Sequence, residues 1–335
     1  MTVRAVIALL LAATAMLAAC APQVQGLGPE RRPPALVDAA FVARDGTQLP
    51  LQVWPAAEKP RAVIVALHGF NMYHRIFDDA GPWWAARDIA VYAYDQRGFG
   101  AAPRPGIWGG EEAFVSDAVD LLRLAADRHP GVPVFLMGES MGGAVVLLTL
   151  AELARAPADG DPAVAGAVLL APAVWGGQAM SPVLRNSLWF AAHTMPWNRA
   201  TGNGLRRRAS DNDDLLRELG EDPLVIKHTR MDAVYGVTRL MGSAFAASGT
   251  FEQPPLLVLY GGRDEIVPAA PVQAMLGQLA APHRLAVYPD GWHMLLSDRQ
   301  AEVVWRDVEA WVLDAAAPLP SGAEKRLADW IDGSS

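Results

Sequence analysis

Val134-Phe135-Leu136-Met137-Gly138-Glu139-Ser140-Met141-Gly142-Gly143 is the stretch on which the reading of this chain turns. An apolar run of strand length enters Gly138-Glu139-Ser140-Met141-Gly142, a G-x-S-x-G pattern, and a helix-like segment follows from Met141 to Arg155. A serine at a sharp strand-to-helix turn is held in strained geometry, tolerable only with small neighbours such as Gly138 and Gly142. The turn pushes the hydroxyl into the open and aims a helix N-terminus at it. Alone the pattern is weak; with a strand before it and a helix after it, Ser140 reads as a nucleophile.

Outward from that turn the chain alternates strands and helices. Apolar runs of strand length cover Ala62 to Leu67, Ile89 to Tyr94, Val134 to Met137, Gly166 to Leu170, Leu256 to Tyr260 and Leu285 to Tyr288. Most carry polar residues only at their ends, as expected of strands buried on both faces. Glu111 to His129, Met141 to Arg155 and Arg299 to Ala317 read as helices, the first stopped by His129-Pro130-Gly131. Phe41 to Trp54 reads as a hairpin turning at Asp45-Gly46. Alternating elements imply right-handed crossovers and a doubly wound, mostly parallel sheet. The gap between Leu170 and Leu256 far exceeds the dozen or so residues a crossover needs, so it is an insertion.

A serine hydroxyl needs a base to take its proton, and the base needs a third group to orient it. At a turn of this kind the chain order is Ser, then Asp or Glu, then His. His293 follows the last strand in Tyr288-Pro289-Asp290-Gly291-Trp292-His293, which places it at the catalytic edge. His193 and His228 fall inside the insertion, and His283 precedes its strand at the wrong edge. Asp264 follows the Leu256 strand through Gly261-Gly262-Arg263 and is taken as the acid. Asp290 competes, but lies three residues from His293 and would have to fold back; Glu265 points away if Asp264 points in. An oxyanion hole needs two backbone N–H groups, expected from Met141 and from Phe70 in the loop His68-Gly69-Phe70-Asn71. His68 is expected to hold that loop, not to act as a base.

Together His68-Gly69, Asp95-Gln96-Arg97-Gly98-Phe99-Gly100, Gly138-Glu139-Ser140-Met141-Gly142-Gly143, Gly261-Gly262-Arg263-Asp264-Glu265-Ile266-Val267 and Trp292-His293 resemble the α/β-hydrolase superfamily. They are similar to its monoacylglycerol lipase and lysophospholipase branch, also described as serine aminopeptidase-like hydrolases. The resemblance runs from about Phe41 to Asp314, and Asp222-Pro223-Leu224-Val225 in the insertion is similar to a motif in the cap of monoacylglycerol lipases. It implies an eight-stranded sheet with an inserted helical cap, Ser140, Asp264 and His293 as triad, and Phe70 and Met141 as oxyanion donors. The family often has histidine where Glu139 stands, and a different loop where Phe70-Asn71-Met72-Tyr73-His74 stands. Asp95 and Arg97 are expected to pair and brace the loop behind the serine.

At the other end of the chain, Arg4 and the uncharged apolar run Ala5 to Ala19 look like a secretory signal, since 15 residues fall short of the roughly 20 that span a bilayer. Leu17-Ala18-Ala19-Cys20 looks like a bacterial lipobox, and the chain's single cysteine stands where that signal would carry the lipid. The implied division is a signal peptide over 1–19, a lipid-anchored flexible tether over 20–38, a core over 39–172 and 251–317, a cap over 173–250 and a tail over 318–335. Lipidation would place the protein in the cell envelope, facing the periplasm, on the outer membrane in preference to the inner because Ala21 follows Cys20.

Composition sets the outer limits. With 335 residues, 52% hydrophobic, the chain can bury a large core without disulfides or metal, and disorder is excluded. A net charge of −8 argues against nucleic acid as a partner. No HExxH, P-loop or dinucleotide fingerprint stands in a supporting context, so no metal and no cofactor is expected. Arg206-Arg207-Arg208 reads as a solvated helix face, and Asp211 to Asp214 as helix capping. The leading expectation is a serine hydrolase of lipid-like esters, anchored to a membrane. A small-ester esterase, a peptidase and an idle acyl-binding lipoprotein are the alternatives. Part of the insertion's aromatic and methionine side chains, Trp189 and Phe190 foremost, is expected to line an acyl tunnel.

Overall fold

Residues 21–158, 161–201 and 207–333 are described by the computed structural model of the chain. The apolar runs become strands: β1 Ala35–Val37, β2 Ala40–Val42, β3 Gln48–Trp54, β4 Ala62–Leu67, β5 Ile89–Tyr94, β6 Val134–Glu139 and β7 Val164–Leu170. After the insertion, which carries the short β8 Arg199–Thr201 and β9 His228–Arg230, come β10 Leu256–Gly261, β11 His283–Tyr288 and β12 Glu324–Lys325. The sheet order is β1-β2-β3-β5-β4-β6-β7-β10-β11-β12, and every pairing from β5 to β11 is parallel. β4, β5, β6 and β10 are buried at every position, which explains their unbroken apolar runs.

The helices are α1 Ala80–Ala85, α2 Glu111–Arg128, α3 Met141–Arg155, α4 Pro182–Thr194, α5 Asp213–Glu221, α6 Met231–Ala247, α7 Ala269–Gln278, α8 Ala301–Leu313 and α9 Leu327–Ile331. They cover both faces of the sheet. Phe114 and Leu121 of α2, Val145 of α3 and Met275 of α7 fill one side. Trp84 of α1 with Val308 and Trp311 of α8 fill the other. This is an α/β-hydrolase architecture, with α4, α5, α6 and the β8–β9 ribbon in the insertion.

Three expectations change. The sheet has ten strands, not eight, because β1 extends the N-terminal hairpin and β12 pairs antiparallel with β11. The tail over 318–335 is therefore part of the sheet edge as far as it is described, and Arg284 holds it by a paired contact to Glu324 at 2.6 Å. The segment read as a flexible tether lies on the body instead. Gln25 N–H donates to the Trp108 carbonyl at 2.8 Å and Gly26 N–H to the Gly109 carbonyl at 3.0 Å. Gln23 N–H donates to Asp232 Oδ2 at 3.1 Å. Its Pro- and Gly-rich composition suggested slack chain, but its backbone donors find fixed acceptors. Residues 1–19 and Cys20 lie outside the described residues, as does Arg206.

Candidate active site

The turn between β6 and α3 is as tight as its sequence implies. Ser140 sits at φ 53°, ψ −114°, a left-handed backbone that costs on the order of 1–3 kcal/mol for a non-glycine residue. A Cβ on Gly138 would stand 2.3 Å from the Gly142 carbonyl carbon, and one on Gly142 only 2.0 Å from the Leu67 carbonyl oxygen. Both positions are closed to any side chain. The strain is held by backbone bonds on either side: Ser140 N–H donates to Leu170 O at 2.9 Å, and Ala173 N–H to Ser140 O at 2.9 Å. Ser140 remains partly exposed while Met141 behind it is fully buried.

Asp264 and His293 reach each other from the ends of β10 and β11. His293 Nδ1–H donates to Asp264 Oδ2 at 2.8 Å. The other carboxylate oxygen, Oδ1, accepts Ile266 N–H at 2.7 Å and Val267 N–H at 2.9 Å, so the acid is gripped on both sides. The two loops touch backbone to backbone: a Cβ on Gly261 would fall 2.2 Å from the Trp292 carbonyl oxygen. Burial opposes a charge on His293, but the Asp264 bond and the negative charges of Asp264, Glu139 and Asp298 outweigh it and raise its pKa. The competing acids are engaged elsewhere. Asp290 pairs with Arg263 at the surface, and Glu265 accepts Arg208 N–H at 2.7 Å.

The loop expected to give the second oxyanion donor lies against Ser140. A Cβ on Gly69 would be 3.4 Å from Ser140 Cβ, and the next N–H is that of Phe70. His68 fixes this loop and is no base. Its Nε2 accepts Gln96 N–H at 2.9 Å, so the proton sits on Nδ1 and is donated to Gly69 O at 2.8 Å. Complete burial pushes its pKa down to about 4 and keeps it neutral. Asp95 and Arg97 do not pair. Asp95 binds His74 Nδ1 at 2.6 Å, whereas Arg97 forks between Asp117 at 2.6 Å and Asp45 at 2.7 Å. The two residues brace different segments, Asp95 the loop after β4 and Arg97 the β2–β3 turn and α2.

Several residues that build the site had no such role assigned from the sequence. Asp298 accepts Trp292 N–H at 2.7 Å and the Ser210 hydroxyl at 2.6 Å, tying the histidine loop to the insertion. Asp222 accepts the Tyr73 hydroxyl at 2.7 Å and Arg75 at 3.0 Å, tying the loop after β4 to the same insertion. Asn71 Nδ2 adds a bond to Thr229 Oγ1 at 2.7 Å. Arg207 and Arg208 lie at the solvent surface but not on a helix, and they clasp Glu265, next to Asp264. Glu139 is the least expected. It is 2% exposed, its Oε2 lacks a partner, and burial lifts its pKa to about 7. Nothing in the pattern G-x-S-x-G marks the residue before the serine, so only the unusual acid itself was a signal.

The insertion departs from expectation in one respect. Trp189 is 49% exposed and Phe190 60% exposed, so neither is enclosed as the wall of a tunnel would be. Among the described residues no group of His, Cys, Asp and Glu is arranged to hold a metal.

Comparison with known proteins covers this whole arrangement. Residues 58–300 match the family described as "Serine aminopeptidase, S33". The monoacylglycerol lipase of Mycolicibacterium smegmatis is 27% identical over 288 residues, covering 82% of this chain and 96% of that protein. The phospholipase YtpA of Bacillus subtilis is 23% identical over 262 residues, covering 76% of this chain and 96% of that protein. The crystal structure of Paleococcus ferrophilus monoacylglycerol lipase superposes with a TM-score of 0.63 at 21% identity, over 80% of this chain and 99% of that one.

Proposed function

Since the chain belongs to the serine aminopeptidase S33 family of α/β-hydrolases, we propose that it hydrolyses carboxylic esters of lipid-like substrates, of the monoacylglycerol or lysophospholipid type, through an acyl-Ser140 intermediate. The observation that carries this reading is the Asp264–His293 bond, 2.8 Å long, with His293 near enough to Glu139, the residue before the strained Ser140, to feel its charge. His293 Nε2 takes the hydroxyl proton as Ser140 Oγ bonds to the ester carbonyl carbon, and Asp264 stays ionised to steady the imidazolium. The N–H groups of Phe70 and Met141 receive the oxyanion. The proton then passes to the leaving alcohol oxygen as the C–O bond breaks. Water, deprotonated by His293, attacks the acyl-serine and frees the acid.

The insertion serves as a cap over the mouth of the site, tied to it through Asp222, Thr229 and Ser210. Lipidation at Cys20 holds the enzyme to the cell envelope on its periplasmic side. A lipid ester is favoured over a peptide or a short ester by the relatives named above and by that anchor, which keeps the enzyme where such esters are concentrated.

The test is a hydrolysis panel of p-nitrophenyl esters, monoacylglycerols, lysophospholipids and aminoacyl amides, with Ser140→Ala as blank. On this reading kcat/KM climbs with acyl length from acetyl towards medium chains, each buried methylene adding about 0.8 kcal/mol of binding. A flat or falling series favours a small-ester esterase. Amide turnover above ester turnover favours a peptidase. Absence of labelling by a fluorophosphonate at Ser140 leaves an acyl-binding lipoprotein.

A further inference from the structure

His293 finds Asp264 within the core, but its own backbone is fixed from outside the sheet. The N–H groups of both its chain neighbours are tied to the insertion. Met294 N–H donates to the Ala209 carbonyl at 2.9 Å. Trp292 N–H donates to Asp298 Oδ2 at 2.7 Å, and the other oxygen of that carboxylate accepts the Ser210 hydroxyl at 2.6 Å. The loop of the acid is held by the same few residues, since Arg208 N–H donates to Glu265 Oε2 at 2.7 Å, one position after Asp264. The guanidinium carbon of Arg208 also stands over the Trp292 ring, 5.4 Å from its centre. Residues 208–210 of the insertion thus bind both loops of the acid–base pair at once.

The junction has the build of a fixed contact. Ser210 is 0% exposed and Asp298 4% exposed. Burying a carboxylate costs free energy unless its oxygens are bonded, and here each oxygen has its own donor. On either side, Asn212 Nδ2 donates to Ser297 O at 3.2 Å and Arg299 N–H to Asp211 Oδ1 at 2.8 Å. Ahead of the histidine the two catalytic loops touch directly, Arg263 N–H donating to Gly291 O at 2.8 Å. At the histidine itself the fixed points are Ala209 and, through Asp298, Ser210. Asp298 also acts by charge: with Asp264 and Glu139 it favours the protonated imidazole. Burial and the neighbouring Asp211 oppose its own ionisation, and the Ser210 and Trp292 bonds support it.

We propose that Ser210 and Asp298 are positioning residues for the hydrolysis, through which the insertion sets where His293 stands and steadies the imidazolium that forms at each turnover. The inference rests on the serine-hydrolase reading of the site. Both residues act through His293. The Ser140 turn has its own support in Leu170 and Ala173, so displacing 208–210 would leave the nucleophile formed and the base out of place. Turnover therefore requires a seated insertion.

The experiment uses the full chain and its Ser210→Ala and Asp298→Asn variants, assayed on p-nitrophenyl acetate, a soluble ester with a minimal acyl group. Ser210→Ala removes one donor to Asp298 and leaves every charge in place. Its kcat should fall about tenfold with KM within about twofold, because a misplaced base slows the chemical step without weakening binding. The downfield proton resonance of His293 Nδ1 should shift or broaden in the same variant. Asp298→Asn should lower kcat too, and should carry the acid limb of kcat/KM to lower pH, since one charge favouring the imidazolium is gone. A bond that serves stability alone would lower the melting temperature and leave kcat, the resonance and the acid limb of the folded protein unchanged; that result overturns the proposal. Should Asp298→Asn fail to fold, Ser210→Ala decides by itself. Failure of the hydrolase reading shows separately. An unaltered chain that neither cleaves the ester nor takes up a fluorophosphonate at Ser140 defeats that reading, while the Nδ1 resonance still reports whether Ser210 places the histidine.

Discussion

Tyr73 and Asp222 are 149 positions apart in sequence, and the tyrosine hydroxyl donates to the carboxylate at 2.7 Å. One residue belongs to the loop that would supply an oxyanion donor, the other to the insertion. Arg75 joins them at 3.0 Å and also holds Glu218 at 2.6 Å. The loop that shapes the site and the insertion above it are therefore one bonded unit, and the resemblance of Asp222-Pro223-Leu224-Val225 to a lipase cap motif acquires a physical reason. Its aspartate is the clamp.

Tyr73→Phe removes one bond of that clamp and leaves Asp222 held by Arg75 and by Leu224 N–H at 2.8 Å. A buried bond to a carboxylate is worth about 2 kcal/mol, and urea denaturation should register a loss of that order. Amide exchange should accelerate around Leu224 more than in β6. Uniform acceleration across the sheet would mean that the bond serves general stability and not the junction.

Asp264→Asn should lower kcat by about 10⁴, the scale seen when a triad histidine loses its acid, with Ser140→Ala and His293→Ala at least as severe. Asp290→Asn should stay within about twofold, since Asp290 pairs with Arg263 in solvent. Steady-state kinetics on a soluble ester decides the matter. An inactive Asp290→Asn beside a working Asp264→Asn reverses the assignment.

How much of this was legible beforehand follows from the range of each interaction. Strands buried on both faces announce themselves as apolar runs, and the Ser140 turn is local, so β4 to β7 and the turn could be read directly. Asp264 and His293 could be read because both follow such strands within a few residues. What escaped depends on partners far along the chain. Ser210 to Asp298 spans 88 positions and Gln23 to Asp232 spans 209, and no local pattern marks either. β12 escaped because two residues, Glu324 and Lys325, carry no periodicity at all. Asp95-Gln96-Arg97 misled in the opposite way: nearness in sequence suggested a pair, while each side chain found its own buried partners.

Glu139 gives the site a pH signature. It binds its proton more tightly in the fold, at about 7, than its ordinary 4.5. The fold should therefore lose stability as pH rises from 4.5 towards 7, by about 3 kcal/mol in all, and no more above that. Glu139→Gln removes this loss, so the variant's stability advantage should be absent near pH 4.5 and largest at pH 8, as read by urea denaturation. Its activity should move too. His293 must be neutral to act as base, and ionised Glu139, with Asp264 and Asp298, favours the charged imidazole. The acid limb of kcat/KM should shift to lower pH in Glu139→Gln. An unmoved limb would separate Glu139 from the histidine.

The segment Gln23–Gly28 is a strap along the body, and it changes what truncation should do. A body whose core begins at the β2 hairpin would tolerate loss of everything before residue 35. The bonds say otherwise. Gly28 N–H donates to Asp45 Oδ2 at 3.0 Å, and Asp45 is the buried partner of Arg97 at 2.7 Å, so removing the strap opens an ion pair to water. Gln25 closes three carbonyls of the loop leading to Trp108, which a shorter side chain would leave without that donor. Gln25→Ala should cost about 1–2 kcal/mol, and deletion of residues 1–34 should cost more. Both should raise amide exchange in 103–110 and at the start of α6, the two surfaces that the strap joins. A truncated chain as stable as the full one, with the same exchange in both places, would reduce the strap to a passive tether.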